Sequence, residues 1–260
     1  MIAPGFAEVE SQLWIWMMAM IRPGAAMFVA PIFGAKNVPI QIRIILAFMI
    51  GMVATTNASF DLPTETAITI GNSLFVLGEV LTGLAIGFSL QLGYSSVLIA
   101  GETISNAMGL GFASMSDPQT GQSTPVIGQF LTIFATLLLI AADGHLMLIS
   151  TIVQSYSALP PGFAMIGPEL LWGMVQFGGT LFSMGLLIAL PVGGALILIQ
   201  LMMGFLARTA PALNLFAVGI PVTIIAGLVA LAITAPIMAD TVMRSLGMGL
   251  DQAALVAGGG

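Results

Sequence analysis

Residues 170–206 read LLWGMVQFGGTLFSMGLLIALPVGGALILIQLMMGFL and carry no charged side chain. A helix needs about 20 apolar residues to cross the hydrocarbon core of a bilayer, so this run is long enough for a span with much to spare. Five other apolar stretches share its character: approximately Leu13–Phe33, Ile40–Phe60, Ile68–Ala100, Val126–Leu159 and Ala212–Met238. Lipid offers backbone donors and acceptors no partners, so runs of this kind must be largely helical. Strand-like alternation is absent, which disfavours an outer-membrane barrel. The expected fold is an all-α membrane protein with about six apolar segments.

The composition agrees. Of 260 residues, 58% are hydrophobic and 6% charged, whereas a soluble domain carries roughly 25% charged residues. Mean hydropathy is +1.09. The net charge is −6, from eleven acids and five bases, and this sparse, acidic balance argues against nucleic acid as a partner. There is no cysteine, which excludes disulfides, thiolate metal sites and cysteine nucleophiles. One histidine, His145, cannot build a multi-histidine metal centre. No nucleophile elbow, zinc-protease helix or phosphate-binding glycine loop occurs. Neither a cofactor nor a metal is expected, and catalysis is disfavoured.

Several runs exceed the length of one perpendicular span and contain helix interrupters: Gly83 and Gly87 in the third, Asp143-Gly144 in the fourth, Pro191 with Gly193-Gly194 in the fifth. Proline removes a helical hydrogen bond and crowds the preceding turn, so Pro191 is expected to kink or break its helix. Long tilted helices and helical hairpins both fit. Three connections stand out: Gly34–Pro39 with Lys36 and, just beyond, Arg43; Asn57–Thr66 with Asp61 and Glu65; and Gly109–Pro125, rich in Gly, Ser, Thr and Pro. The positive-inside rule places the Lys36/Arg43 connection in the cytoplasm and the N-terminus outside. Glu8 and Glu10, with no base before Arg22, are unlike the start of a secretory signal, so the first run is expected to be retained.

Arg22 lies within the first run, followed by Pro23. A charge at that depth is costly and marks a functional candidate or a buried pair. Glu79 in the third run and Glu102 just past its end could each pair with Arg22 or with a neighbouring subunit, and structural pairing is the preferred reading. Asp143 and His145 suggest a proton relay, yet residues two apart do not face each other on a helix; a turn capped by Asp143 with Gly144 at its bend is favoured. Gly83-Leu84-Ala85-Ile86-Gly87 is a G-x-x-x-G spacing that permits close helix approach. The 18 methionines suit irregular, adaptable packing.

Taken together, several motifs resemble the FliR family of flagellar biosynthetic proteins. They are Gly101-Glu102, MGLGFASMSDP at 108–118 and Gly121; Arg22 with Ala30-Pro31, Val38-Pro39 and Arg43; Asp143-Gly144-His145; and RTAPALNLF at 208–216 followed by Gly219-Ile220-Pro221. They occur in family order and cover nearly the whole chain. Ala212 stands where the family often has Gln, and Asp143 where Asn is common. The virulence-type secretion homologue is the near relative, and the D-P and R-x-x-P-x-x-N-x-F elements favour the flagellar branch.

The resemblance implies a subunit of the type III export gate in the bacterial inner membrane, within the flagellar basal body. Its partners would be FliP-like and FliQ-like subunits, FlhB-like and FlhA-like proteins, membrane lipid and unfolded flagellar substrates driven through by proton motive force. It implies kinked helices and hairpins in a helical, cone-shaped assembly. Residues 1–125 would form a FliP-like part ending in a pore-plugging loop at 109–125, with Gly109, Gly111, Phe112, Met115, Asp117 and Pro118 as its gating residues. Residues 126–206 would supply central hairpins, residues 207–250 a FliQ-like hairpin region, and residues 251–260 a disordered tail. Arg22, Glu79, Glu102, Asp143, His145 and Arg208 would be structural or intramembrane polar residues. The competing reading is a secondary transporter using Arg22, Glu79 and the Asp143/His145 pair as its pathway; an intramembrane hydrolase ranks last.

Overall fold

A computed structural model describes residues 4–57, 70–111, 126–161, 167–209 and 215–259. The described residues form eight α-helices and no strand: α1 (Pro4–Ala19), α2 (Ile21–Val29), α3 (Ile40–Asn57), α4 (Ile70–Ala107), α5 (Val126–Ala141), α6 (Gly144–Ala158), α7 (Pro168–Thr209) and α8 (Leu215–Gly258). The all-α membrane fold expected from the apolar runs is the fold observed. Among the described residues, three helices are long and apolar enough to cross a membrane, and α5 with α6 makes a fourth if that broken pair counts as one span. That is fewer than the six stretches that hydropathy marks out. The first run is divided between α1 and α2, and α3 is shorter than the three crossing helices.

The breaks fall where backbone chemistry puts them. The first run is interrupted at Met20, three residues before Pro23. Proline has no N–H for the carbonyl four residues back, which here belongs to Ala19. α2 then ends at Ala30, whose extended backbone (φ −60°, ψ 142°) is the conformation favoured before a proline. Ile32 takes a φ of 71°, uncommon for a β-branched residue. Arg43 spans the connection that follows, Nη2 donating to the carbonyls of Ala35 (2.5 Å) and Val38 (3.1 Å). The fourth run breaks at Asp143, which adopts the left-handed conformation (φ 55°, ψ 19°) and makes no side-chain cap bond. The bend expected at Gly144 thus sits one residue earlier. Asp143 contributes its main-chain carbonyl, which accepts from Leu146 and Met147 N–H.

Elsewhere glycine and proline do not break the helix. α4 runs without a break through Gly83 and Gly87, α7 through Pro191, and α8 through Pro221 and Pro236. A glycine costs a helix only about 1 kcal/mol, and apolar helices tolerate proline where neighbours re-satisfy the freed groups. At the C-terminal end, where a disordered tail was expected, α8 continues to Gly258 with Ala253, Val256 and Ala257 buried.

The chain forms two compact units. The first gathers residues 1–93, 142–178 and 247–260; the second gathers 94–141 and 179–246. Within the first, α3 packs on α1, α2 and α6, with Trp16 edge-on to Phe48 at 6.0 Å. Ala26, Met27, Ile86, Leu90 and Ile152 are buried there. Within the second, Val97, Ile104, Leu131, Ile188 and Leu196 form the core. Gly101 and Gly128 let α4 and α5 touch main chain to main chain: a Cβ on Gly101 would lie 2.3 Å from the Gly128 Cα.

Candidate functional site

Among the described residues, the most concentrated polar chemistry lies inside the first unit, around Arg22. A stripe on α4 prepares its place. Glu79, Gly83 and Gly87 recur at intervals of four, which sets them on one face of the helix. Cβ atoms on Gly83 and Gly87 would each come within 2.2 Å of α2 carbonyls, those of Arg22 and Ala26. Only glycine permits that approach, and it brings Arg22 to Glu79, one turn before Gly83. The pair is bidentate: Arg22 Nε donates to Glu79 Oε2 and Nη2 to Oε1, both at 2.9 Å. Arg22 is fully buried and the Glu79 side chain is 1% exposed.

The end of α6 completes the shell. Arg22 Nη1 donates to Ser155 Oγ (2.9 Å), and Nη2 donates to the Leu159 carbonyl (3.0 Å). The guanidinium lies over the Tyr156 ring, 4.1 Å from its centroid. The Tyr156 hydroxyl in turn donates to the Ala19 carbonyl at 2.8 Å. Ala19 is the residue whose helical donor Pro23 removes. Tyr156 therefore supplies the missing hydrogen bond with its tip and the cation–π face with its ring. Four of the five guanidinium N–H groups are committed to acceptors, and the carboxylate is matched by the fork it faces. This arrangement ties α2, α4 and α6 together through one charge. Both charges are sealed from the surface, and among the described residues Glu79 is the acid hydrogen-bonded to Arg22.

The remaining polar candidates are dispersed. Glu102 is exposed on α4, and Arg208 is exposed in the last turn of α7. Asp143 is exposed at the break, while His145, half-buried one residue into α6, has an Nδ1 without a hydrogen-bond partner among the described residues. Of the acids considered for Arg22, Glu79 is the partner. Tyr156 and Ser155 were not anticipated. The only local hint was Pro23, which announces an orphaned carbonyl without saying what will reach it.

In the second unit, the end of α4 is closed with equal care. Gly109 is left-handed (φ +80°); its N–H bonds Asn106 O, and Leu110 N–H bonds Ser105 O, both at 3.0 Å. That is a Schellman cap. Gly111 continues one residue further; a Cβ there would sit 2.9 Å from Asn106 Oδ1. Phe112, Met115, Asp117 and Pro118 lie outside the described residues.

Long apolar helices, a sealed buried ion pair and close glycine-mediated helix contacts define the chain as a multi-helix integral membrane protein. A family model described as bacterial export proteins, family 1, matches residues 13–248. The flagellar biosynthetic protein FliR of Escherichia coli (strain K12) is 31% identical over 238 residues, covering 89% of this chain and 90% of that protein. FliR of Pectobacterium carotovorum subsp. carotovorum is 32% identical over 218 residues, 84% of this chain and 83% of its own length. FliR of Bacillus subtilis (strain 168) is 32% identical over 212 residues, with 80% and 81% covered. The chain belongs to this export-protein family, among the flagellar biosynthetic proteins FliR. It is a membrane-embedded component of the flagellar export apparatus.

Proposed function

We propose that this chain is a core subunit of the flagellar type III protein export gate, seated in the bacterial inner membrane within the basal body. FliP-like and FliQ-like subunits assemble with it, next to FlhB-like and FlhA-like proteins, to form a channel for unfolded flagellar proteins. In this reading residues 1–125 take the FliP-like role and residues 207–250 the FliQ-like role. The segment Gly109–Pro125 helps to plug the channel.

One observation carries the assembly. α4, α7 and α8 contain 38, 42 and 44 residues, contours of roughly 57, 63 and 66 Å at ~1.5 Å per residue. The hydrocarbon core is about 30 Å thick, and tilts beyond about 40° are outside the ordinary range. A helix of roughly 63 Å therefore projects past the bilayer, yet α7 carries exposed apolar side chains from near its start to near its end. Trp172 near its start is 63% exposed, Phe182 and Leu186 follow, and Phe205 near its end is 70% exposed. Lipid covers only part of such a face; protein must cover the rest.

Co-expression with FliP-like and FliQ-like proteins, followed by native mass spectrometry of the mildly solubilised product, tests the assembly. A hetero-oligomer is expected. The plug is tested separately by shortening 113–119, or by replacing Phe112 and Met115 with small polar residues, and measuring ion flux in secretion-blocked cells. Increased leakage is expected, and unchanged leakage through a correctly assembled gate would remove the plug from the account.

A further inference from the structure

A helix leaves its last four carbonyls without intrahelical donors, and a buried carbonyl must find one. At the C-terminal end of α4 every carbonyl from Ile104 to Met108 has done so. Met108 N–H serves Ile104, Leu110 N–H serves Ser105 and Gly109 N–H serves Asn106. The last two are reached from elsewhere in the second unit. Gln200 Nε2 on α7 donates to the Ala107 carbonyl at 2.7 Å. Thr223 Oγ1 on α8 donates to the Met108 carbonyl at 3.0 Å, sharing its proton with the Ile220 carbonyl of its own helix. Met108 is fully buried, and Gly227, one turn beyond Thr223, makes room for it: a Cβ there would be 2.7 Å from Met108 Cγ.

We propose that Gln200 and Thr223 are positioning residues that fix the root of the segment beginning at Gly109. Their place in the chain supports the role. They lie on the two helices that flank residues 210–214, so the end of α4 is held from both sides of that connection. An apolar chain has few polar side chains to place; these two are spent on the two carbonyls that the helix cap leaves over. Replacing either removes a hydrogen bond from the root without touching the segment itself. The gating consequence rests on the reading of Gly109–Pro125 as a plug, whereas the anchoring does not.

The chain has no cysteine, so a single Leu110→Cys carries a spin label in the full-length protein within its assembled complex. With Gln200→Met and Thr223→Val together, the label is expected to become markedly more mobile, and ion leakage in secretion-blocked cells to rise several-fold. Thr223→Ser, which keeps the hydroxyl, should retain the immobile label and the tight gate. Should the double variant not assemble, Gln200→Met alone reads the same two quantities, because that side chain is exposed. An unchanged label in the assembled variants overturns the anchoring. A mobilised label with wild-type leakage overturns the positioning role, provided shortening 113–119 does leak. If that shortening does not leak either, the plug reading fails and the label alone decides the anchor.

Discussion

Among the described residues, Arg22 carries the highest electrostatic stakes, being fully buried in an ion pair. Removing one partner of a buried ion pair strands the other, at a cost of about 3–5 kcal/mol, whereas replacing both with apolar residues of similar volume is often neutral. Arg22→Ala and Glu79→Ala are therefore each expected to cut the yield and thermal stability of the purified protein sharply. Arg22→Met with Glu79→Met should recover most of both. A double variant as damaged as the single ones would mean that the charges serve something other than each other. Tyr156→Phe isolates the next bond: it keeps the ring under the guanidinium and leaves the Ala19 carbonyl without a donor, for a loss of about 1–3 kcal/mol in a thermal-shift measurement. At this scale the sequence was half legible. A buried Arg demands an acid, and Glu79 was one of two considered. Ser155, Tyr156 and the Leu159 carbonyl were not readable, because their approach depends on how α6 meets α2. The proposed plug residues Phe112, Met115, Asp117 and Pro118 lie outside the described residues, so their roles rest on the resemblance.

Helix by helix, the glycines separate into those that are packed and those that are not. Gly83→Ala and Gly87→Ala would drive a methyl into α2 backbone, which cannot retreat as a flexible side chain would. Both should lower stability and loosen the Arg22–Glu79 contact. Gly193→Ala, on α7, meets nothing within 4 Å; it should be neutral or slightly stabilising, since alanine favours helix by up to about 1 kcal/mol. Gly109→Ala falls between. Its left-handed backbone costs an L-residue about 1–2 kcal/mol, and Gly109→Asn should cost less. Thermal melting of the four alanine variants under one detergent condition checks the order. Run lengths were legible because bilayer chemistry demands long apolar helices; the break at Asp143-Gly144 was legible to within one residue, whereas the one at Met20 was not. Gly83 and Gly87 read both as interruptions and as a G-x-x-x-G packing face, and the second reading is the one the unbroken helix realises. Asp143, by contrast, does interrupt its run, through a left-handed backbone that composition does not announce.

For the whole molecule, hydropathy and packing together define the problem the protein must solve. Three helices of 38 to 44 residues outsize a bilayer, and their exposed apolar faces are too long for lipid alone. Six stretches of apolar sequence were visible from the outset; that the described residues would hold three helices, or four counting the broken pair, long and apolar enough to cross a membrane depended on breaks at Met20 and Asp143. The transporter alternative needed Arg22 and Glu79 to be accessible to a moving proton or solute, and both are sealed. The central claim is that partner subunits cover what the membrane does not. Native mass spectrometry of the protein, purified under mild conditions after co-expression with its FliP-like and FliQ-like neighbours, tests it most directly. The account predicts a hetero-oligomeric mass that includes this chain. A mass corresponding to the lone chain, obtained with those neighbours present in the same membrane, would contradict it.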